Sequence, residues 1–142
     1  MSIDYGVLQG GIKDSGQRQE FKTGAVRDVT KGKGRFDLLP LMTLFRMAKW
    51  YEKGCEKYGD RNWEKGIPLS NYMSSCLRHF FKHIMGFKDE NHLDAALWNM
   101  MCFMEIRMRI DLGLLPQELN DLPYTFSEVE YEAFEKLLDE ML

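Results

Sequence analysis

Asp89-Glu90-Asn91-His92-Leu93-Asp94-Ala95-Ala96-Leu97-Trp98-Asn99 leads without a break into Met100-Met101-Cys102-Phe103-Met104-Glu105-Ile106-Arg107-Met108-Arg109-Ile110-Asp111. Leu93, Leu97, Met100, Met101, Met104 and Met108 recur at helical spacing, which predicts a helix from near Asp89 to about Asp111 burying these six. Working back, Pro68 and a Ser70 cap open a second helix carrying Met73, Cys76, Leu77, Phe80 and Ile84, which Gly86 closes. Before that, Asp37-Leu38-Leu39-Pro40 offers an Asp cap and a first-turn proline. Leu41, Leu44, Phe45, Ala48, Tyr51 and Cys55 follow as the apolar face of a first helix, loosened at Gly54 and ended at Gly59. Working forward, Ser127 and Glu130 form a capping box, Phe126 and Tyr131 a hydrophobic staple, and Phe134, Leu137, Leu138 and Met141 a last apolar stripe. Strand-like alternation is weak throughout. The pattern predicts an all-α fold, a small antiparallel bundle of three to five helices.

The 142 residues suit one domain, and 44% hydrophobic content is enough for a packed core, which excludes wholesale disorder. Ten Met and nine Phe read first as packing residues. Met1-Ser2-Ile3-Asp4-Tyr5 carries neither a basic start nor an apolar run, so no secretory signal is expected. No stretch reaches the roughly 20 apolar residues of a membrane span. Three separated cysteines fit a reducing cytoplasm better than a disulfide framework. The net charge of -3 is uneven: residues 116–142 carry -7 and residues 1–115 carry +4. Seven of the twelve glycines fall within the first 34 residues, where apolar side chains are few. These shifts predict a mobile arm at 1–23, a helical domain at 24–115 and an acidic segment with an amphipathic helix at 116–142.

Four polar clusters stand out on this scaffold. In Arg27-Asp28-Val29-Thr30-Lys31-Gly32-Lys33-Gly34-Arg35, bases alternate with glycines just ahead of a helix. That composition suits a phosphate grip, with backbone N–H groups and basic side chains converging on an anion, and equally a solvated loop. The Walker spacing is absent. In Glu56-Lys57-Tyr58-Gly59-Asp60-Arg61-Asn62-Trp63-Glu64-Lys65-Gly66, Trp63 or Tyr58 can stack on a base, Asn62 can read a base edge, and Arg61 and Lys65 can meet phosphate. The plainer reading is an interhelical loop in which Trp63 plugs the core. Arg78, His79, Lys82 and His83 give the second helix a polar side, with His79 nearest the apolar residues. Asp89, His92, Ala96 and Asn99 share one face of the third helix. Carboxylates with imidazole at that spacing can hold a divalent ion, while Asp89 as a cap and Glu90 as a dipole partner account for the same first turn.

These runs in this order resemble the phage dATP/dGTP diphosphohydrolase family. The residues are Arg27-Asp28, Lys31 to Pro40, Lys57 to Gly66, Arg78-His79, Asp89-Glu90 with His92-Leu93, Ala95-Ala96 and Trp98-Asn99. The likeness is to MazZ-type enzymes, relatives of the all-α MazG-like nucleotide pyrophosphohydrolases, and spans about Gly24 to Arg109. It implies hydrolysis of purine deoxynucleoside triphosphates, dATP or dGTP, to the monophosphate and pyrophosphate with Mg2+ or Mn2+. In phages it implies pool remodelling linked to 2-aminoadenine DNA synthesis. MazG-like proteins carry ExxE and ExxD metal motifs. Here His92 and Ala95 stand at the acidic ExxD positions, and Arg78 and His79 occupy the ExxE region. The resemblance therefore implies a metal shell of His79, Asp89, Glu90 and His92, with Glu56 as an outside ligand or base.

The expected substrate contacts are Arg27, Lys31, Lys33, Arg35, Lys57, Arg61 and Lys65 to phosphate, and Asn62, Trp63 and Asn99 to the nucleoside. Two other readings compete: a nucleotide- or nucleic-acid-binding module without catalysis, and an HD-like enzyme releasing inorganic triphosphate. The +4 body is modest for a polyanion binder, so no stable nucleic-acid complex and no membrane partner are expected. Three main helices cannot enclose both a purine nucleotide and a core. A homo-oligomer, dimer or tetramer, with a shared site is the expected assembly, acting in the cytoplasm.

Overall fold

The computed structural model describes residues 16–122 and 127–141. The chain divides into two compact units, Met1–Leu39 and Pro40–Leu142. In the first, β1 (Arg18–Glu20) pairs antiparallel with β2 (Val26–Asp28), with Arg18 opposite Asp28 and Glu20 opposite Val26. Phe21 N–H donates to the Ala25 carbonyl across the turn, and Gly24 takes φ 82° there. Residues 18–28 thus fold as a hairpin. Arg18-Gln19-Glu20 shows none of the apolar alternation by which a strand is usually read. A short 3-10 turn, Phe36–Leu38, follows.

The second unit holds α1 (Leu41–Tyr58), α2 (Leu69–Ile84), α3 (His92–Asp111) and α4 (Glu128–Met141). The helical fold and its order agree with the reading of the sequence. The first two caps do not. Pro40 and Pro68 hold the N-cap positions without side-chain bonds, and Asp37 is instead paired with Arg35. The N-terminus of α2 is capped from far along the chain. Asp121 accepts the Ser70 N–H at 2.9 Å and the Ser70 hydroxyl at 2.6 Å. Gly59 ends α1 at φ 83°, and the C-termini of α2 and α3 are likewise closed by glycines at positive φ, Gly86 and Gly113. After each of these last two, the next residue's N–H reaches back five positions, Phe87 to the Lys82 carbonyl and Leu114 to the Arg109 carbonyl. The Ser127–Glu130 capping box forms as expected. The Phe126 half of the staple lies outside the described residues.

The core is the contact of α2 with α3. Leu69, Tyr72, Cys102, Ile106 and Ile110 are buried together, with Tyr51, Trp63 and Trp98 against them. Burying an aliphatic side chain as fully as Leu69 or Ile106 contributes about 1.5–3 kcal/mol. This is a rotated version of the expected core. Met100, Met104 and Met108 are about half exposed, whereas His92, Ala95, Ala96, Asn99, Cys102, Ile106 and Ile110 point inward. The helix is apolar on two sides, so periodicity alone does not choose between them. Small Ala and Cys let α2 approach more closely than a row of Met would. On α2, Cys76 is buried while Met73, Leu77, Phe80 and Ile84 stay exposed, and on α1 only Met47 is fully buried. Leu115, Leu119 and Leu122 fold back onto the core. Gly66 lies beneath them at φ 91°, where an added Cβ would come within 2.6 Å of Leu119. Among the described residues no helix is long and apolar enough to cross a membrane.

Candidate metal centre and anion groove

His79 lies in the third turn of α2 and His92 opens α3, so the corner between the helices brings two imidazoles together, tilted by 35°. Their Nδ1 atoms are 3.1 Å apart. Glu90, in the connection, places Oε1 3.2 Å from His79 Nδ1 and 4.0 Å from His92 Nδ1. Among the described residues this is the one group of His, Cys and carboxylate side chains whose ligand atoms converge closely enough to share an ion. Atoms bound to a common ion at roughly 2.0–2.2 Å lie about 3.0–3.5 Å from one another at tetrahedral or octahedral angles. Two sides of the triangle match that spacing. The third, at 4.0 Å, is longer and ends on Glu90, the most exposed of the three. The residues therefore fit a divalent ion.

Electrostatics prepare the nitrogens for it. The His92 side chain is 1% exposed, and its Nε2–H donates to Asp89 at 2.8 Å. That proton fixes the tautomer and leaves the Nδ1 lone pair facing His79 and Glu90. Burial pushes the His79 imidazole pKa down, Glu90 opposes this, and Arg78, His92 and Lys82 add to it. Asp89 is held below the usual carboxylate range, first by the His92 hydrogen bond and then by Lys82, whose Nζ is 3.3 Å away.

An open groove of about 610 Å³ runs past this centre between α1, α2 and α3. Lys53 and Lys57 of α1 and Arg78 and Lys82 of α2 line it, against the single carboxylate of Glu90. Trp50, Tyr58 and Trp98 supply aromatic walls, and Gly54 and Ala95 keep it wide. Four cations facing one anion make a pocket for a polyanion, and the aromatic faces suit a planar ring. Below it, Arg46 of α1 pairs with Asp94, which is 7% exposed, and donates to Asn91 at 3.0 Å, tying α1 to the first turn of α3.

The expected site residues separate accordingly. His79, Glu90 and His92 form the triangle, and Asp89 stands behind His92. Lys57 and Asn99 line the groove, with one Asn99 amide proton donated to the Ala95 carbonyl at 2.8 Å. Glu56 is exposed on α1 and lines neither. Trp63 packs edge-on to Tyr51 and under the Arg109 guanidinium, as a core plug. Asn62 and Arg61 border a small adjoining pocket that shares Gly54, Tyr58 and Trp98 with the groove. Arg61 is also bound to Glu64 at 2.8 Å, and Lys65 is exposed. Arg27, Lys31, Lys33 and Arg35 belong to the other unit, where Arg27 stands opposite Gln19 and Arg35 grips Asp37. Trp50 and Lys53 were missed in the sequence, although Trp50, Lys53 and Lys57 at i, i+3 and i+7 share a helical face. Arg46, four residues before Trp50, continues the same face and was missed with them.

Residues 23–112 match the family model for the N-terminal domain of dATP/dGTP diphosphohydrolases. No curated protein and no solved structure matches the chain.

Proposed function

Because the chain belongs to the dATP/dGTP diphosphohydrolase family, we propose that its groove hydrolyses purine deoxynucleoside triphosphates to the monophosphate and pyrophosphate. The observation that carries this reading is the His79–Glu90–His92 triangle set in a wall of four cations. A divalent ion held by His79, Glu90 and His92 would supply Lewis-acid polarisation and an acidified water. Lys53, Lys57, Arg78 and Lys82 would grip the triphosphate and offset the charge growing on the pyrophosphate as the bond to the α-phosphorus breaks. Glu90, which reaches both histidines through Oε1, would take the proton from the attacking water on its other carboxylate oxygen. Trp50, Tyr58 and Trp98 would stack on the purine, and the Asn99 amide would meet its edge. A role in phage deoxypurine pools feeding 2-aminoadenine DNA synthesis follows from the same family reading.

The test is to incubate the full chain with each of the four dNTPs and a divalent metal, and to identify products by phosphorus NMR. Pyrophosphate with dAMP or dGMP is the expected result. Release of inorganic triphosphate would assign a different bond, and binding without turnover would make the chain a nucleotide-binding module. Glu90→Gln should lower kcat by roughly 100-fold or more, the scale of a lost acid–base group. A folded Glu90→Gln enzyme with normal turnover would put the site elsewhere.

We further propose that a second copy of the chain completes this site, since one side of the groove is open and much of the apolar face of α2 and α3 is uncovered.

A further inference from the structure

Resting on that reading of the triangle as the metal site, we propose that it takes a first-row transition ion of the Mn2+ to Zn2+ series in preference to Mg2+, with Asp89 as the positioning residue for His92. Three observations lead there. The converging donors are two imidazole nitrogens and one carboxylate oxygen, His79 Nδ1, His92 Nδ1 and Glu90 Oε1. Mg2+ is hard, demands octahedral oxygen ligands and sheds water reluctantly, whereas imidazole suits the borderline transition ions. The positions that would supply a carboxylate-rich site are filled otherwise: Ala95 lies in the groove lining, and Glu56 is exposed and outside it.

Second, His92 is buried with its donating edge already committed. Asp89 accepts its Nε2–H at 2.8 Å, so the imidazole can offer only the Nδ1 lone pair to the triangle. A carboxylate behind a ligating histidine orients the ring and raises its basicity, and removing such a partner typically weakens metal binding 10–100-fold. Third, Asp89 is itself anchored. Lys82 reaches it at 3.3 Å while also lining the groove, so one lysine links the metal-orienting carboxylate to the anion path.

The experiment uses the full metal-free chain, without nucleotide, titrated with Co2+ and followed by its visible absorption and by calorimetry. A Co2+ spectrum with nitrogen ligation should appear, and millimolar Mg2+ should not displace it. His79→Gln and Glu90→Gln, both at partly exposed positions, should abolish or reshape the spectrum. Asp89→Asn should weaken Co2+ binding by about 10–100-fold and shift the band, while the metal-free variant still folds and melts cooperatively. Ready displacement by Mg2+, or a spectrum indifferent to His79→Gln and Glu90→Gln, would overturn the proposal. An Asp89→Asn variant with wild-type affinity and band would overturn the positioning role. The two readings fail separately. Co2+ bound at the triangle with no dNTP cleaved would sink the enzymatic reading alone, whereas dNTP cleavage supported only by Mg2+ would sink this one alone.

Discussion

Asp94 shows how little of a residue's environment its neighbours in sequence disclose. It reads as one of several first-turn acids on α3, and the structure buries it against Arg46 from another helix. A buried carboxylate left without its partner costs about 1–3 kcal/mol, and more as burial deepens. Arg46→Ala should therefore lower the free energy of unfolding by roughly that amount in urea, and Asp94→Asn in the same chain should restore part of it. A loss in the double variant equal to the sum of the singles would show that the pair does not couple. The His79–His92 approach has the same character. Each histidine was legible as a metal candidate on its own helix, but the 3.1 Å between their Nδ1 atoms depends on the angle at which α2 turns into α3. Asp89 was legible as acidic and close to His92. That it accepts the Nε2 proton and so stands behind the ring follows from the ring's orientation in the packed structure.

At the scale of elements, α3 tests which of two apolar faces the fold uses. Ile106 is fully buried and Met104 is largely exposed. Ile106→Ala should cost about 2–5 kcal/mol of stability, whereas Met104→Ala should cost under about 1 kcal/mol in the single chain. Comparable losses at both positions would mean that the methionine face is also packed. The α2 N-terminus supplies a pH test. Asp121 is held below the usual carboxylate range by the Ser70 hydroxyl and N–H. A carboxylate whose folded pKa is depressed contributes stability above its unfolded pKa and loses it as pH falls through the folded value. Asp121→Asn should therefore lower the melting temperature by a few degrees at neutral pH, and its difference from wild type should vanish as the pH drops below the carboxylate range. A gap that persists in acid would assign the effect to packing. Helix extents and C-terminal glycines were readable here because they depend on residues within a few positions. The cap from Asp121, fifty-one residues from Ser70, was not.

For the whole molecule, the uncovered apolar surface is the main consequence. Leu77 and Met100 border an apolar cavity of about 90 Å³ between α2 and α3, open to the outside and lined by none of the groove's residues. With Phe81, Ile84 and Met104 also exposed, the face exceeds the scattered apolar residues normal on a monomer. Leu77→Lys with Met100→Lys should convert the proposed oligomer to monomer in light scattering and reduce turnover, while a monomeric wild type would remove the basis for a shared site. By itself the sequence determined the helical class, the order of the helices, their glycine stops and the types of residue available for metal and phosphate. Those follow from local backbone preference and from periodicity, which act over a few residues. Only the tertiary structure decided which face of α3 became core, and which acids and histidines met. It also showed that Lys53 joins Lys57 in lining the groove beside His79 and Glu90, while Arg61 and Lys65 do not. Those outcomes turn on the angles and separations of packed helices, and these are set by the summed fit of many side chains that no single stretch contains.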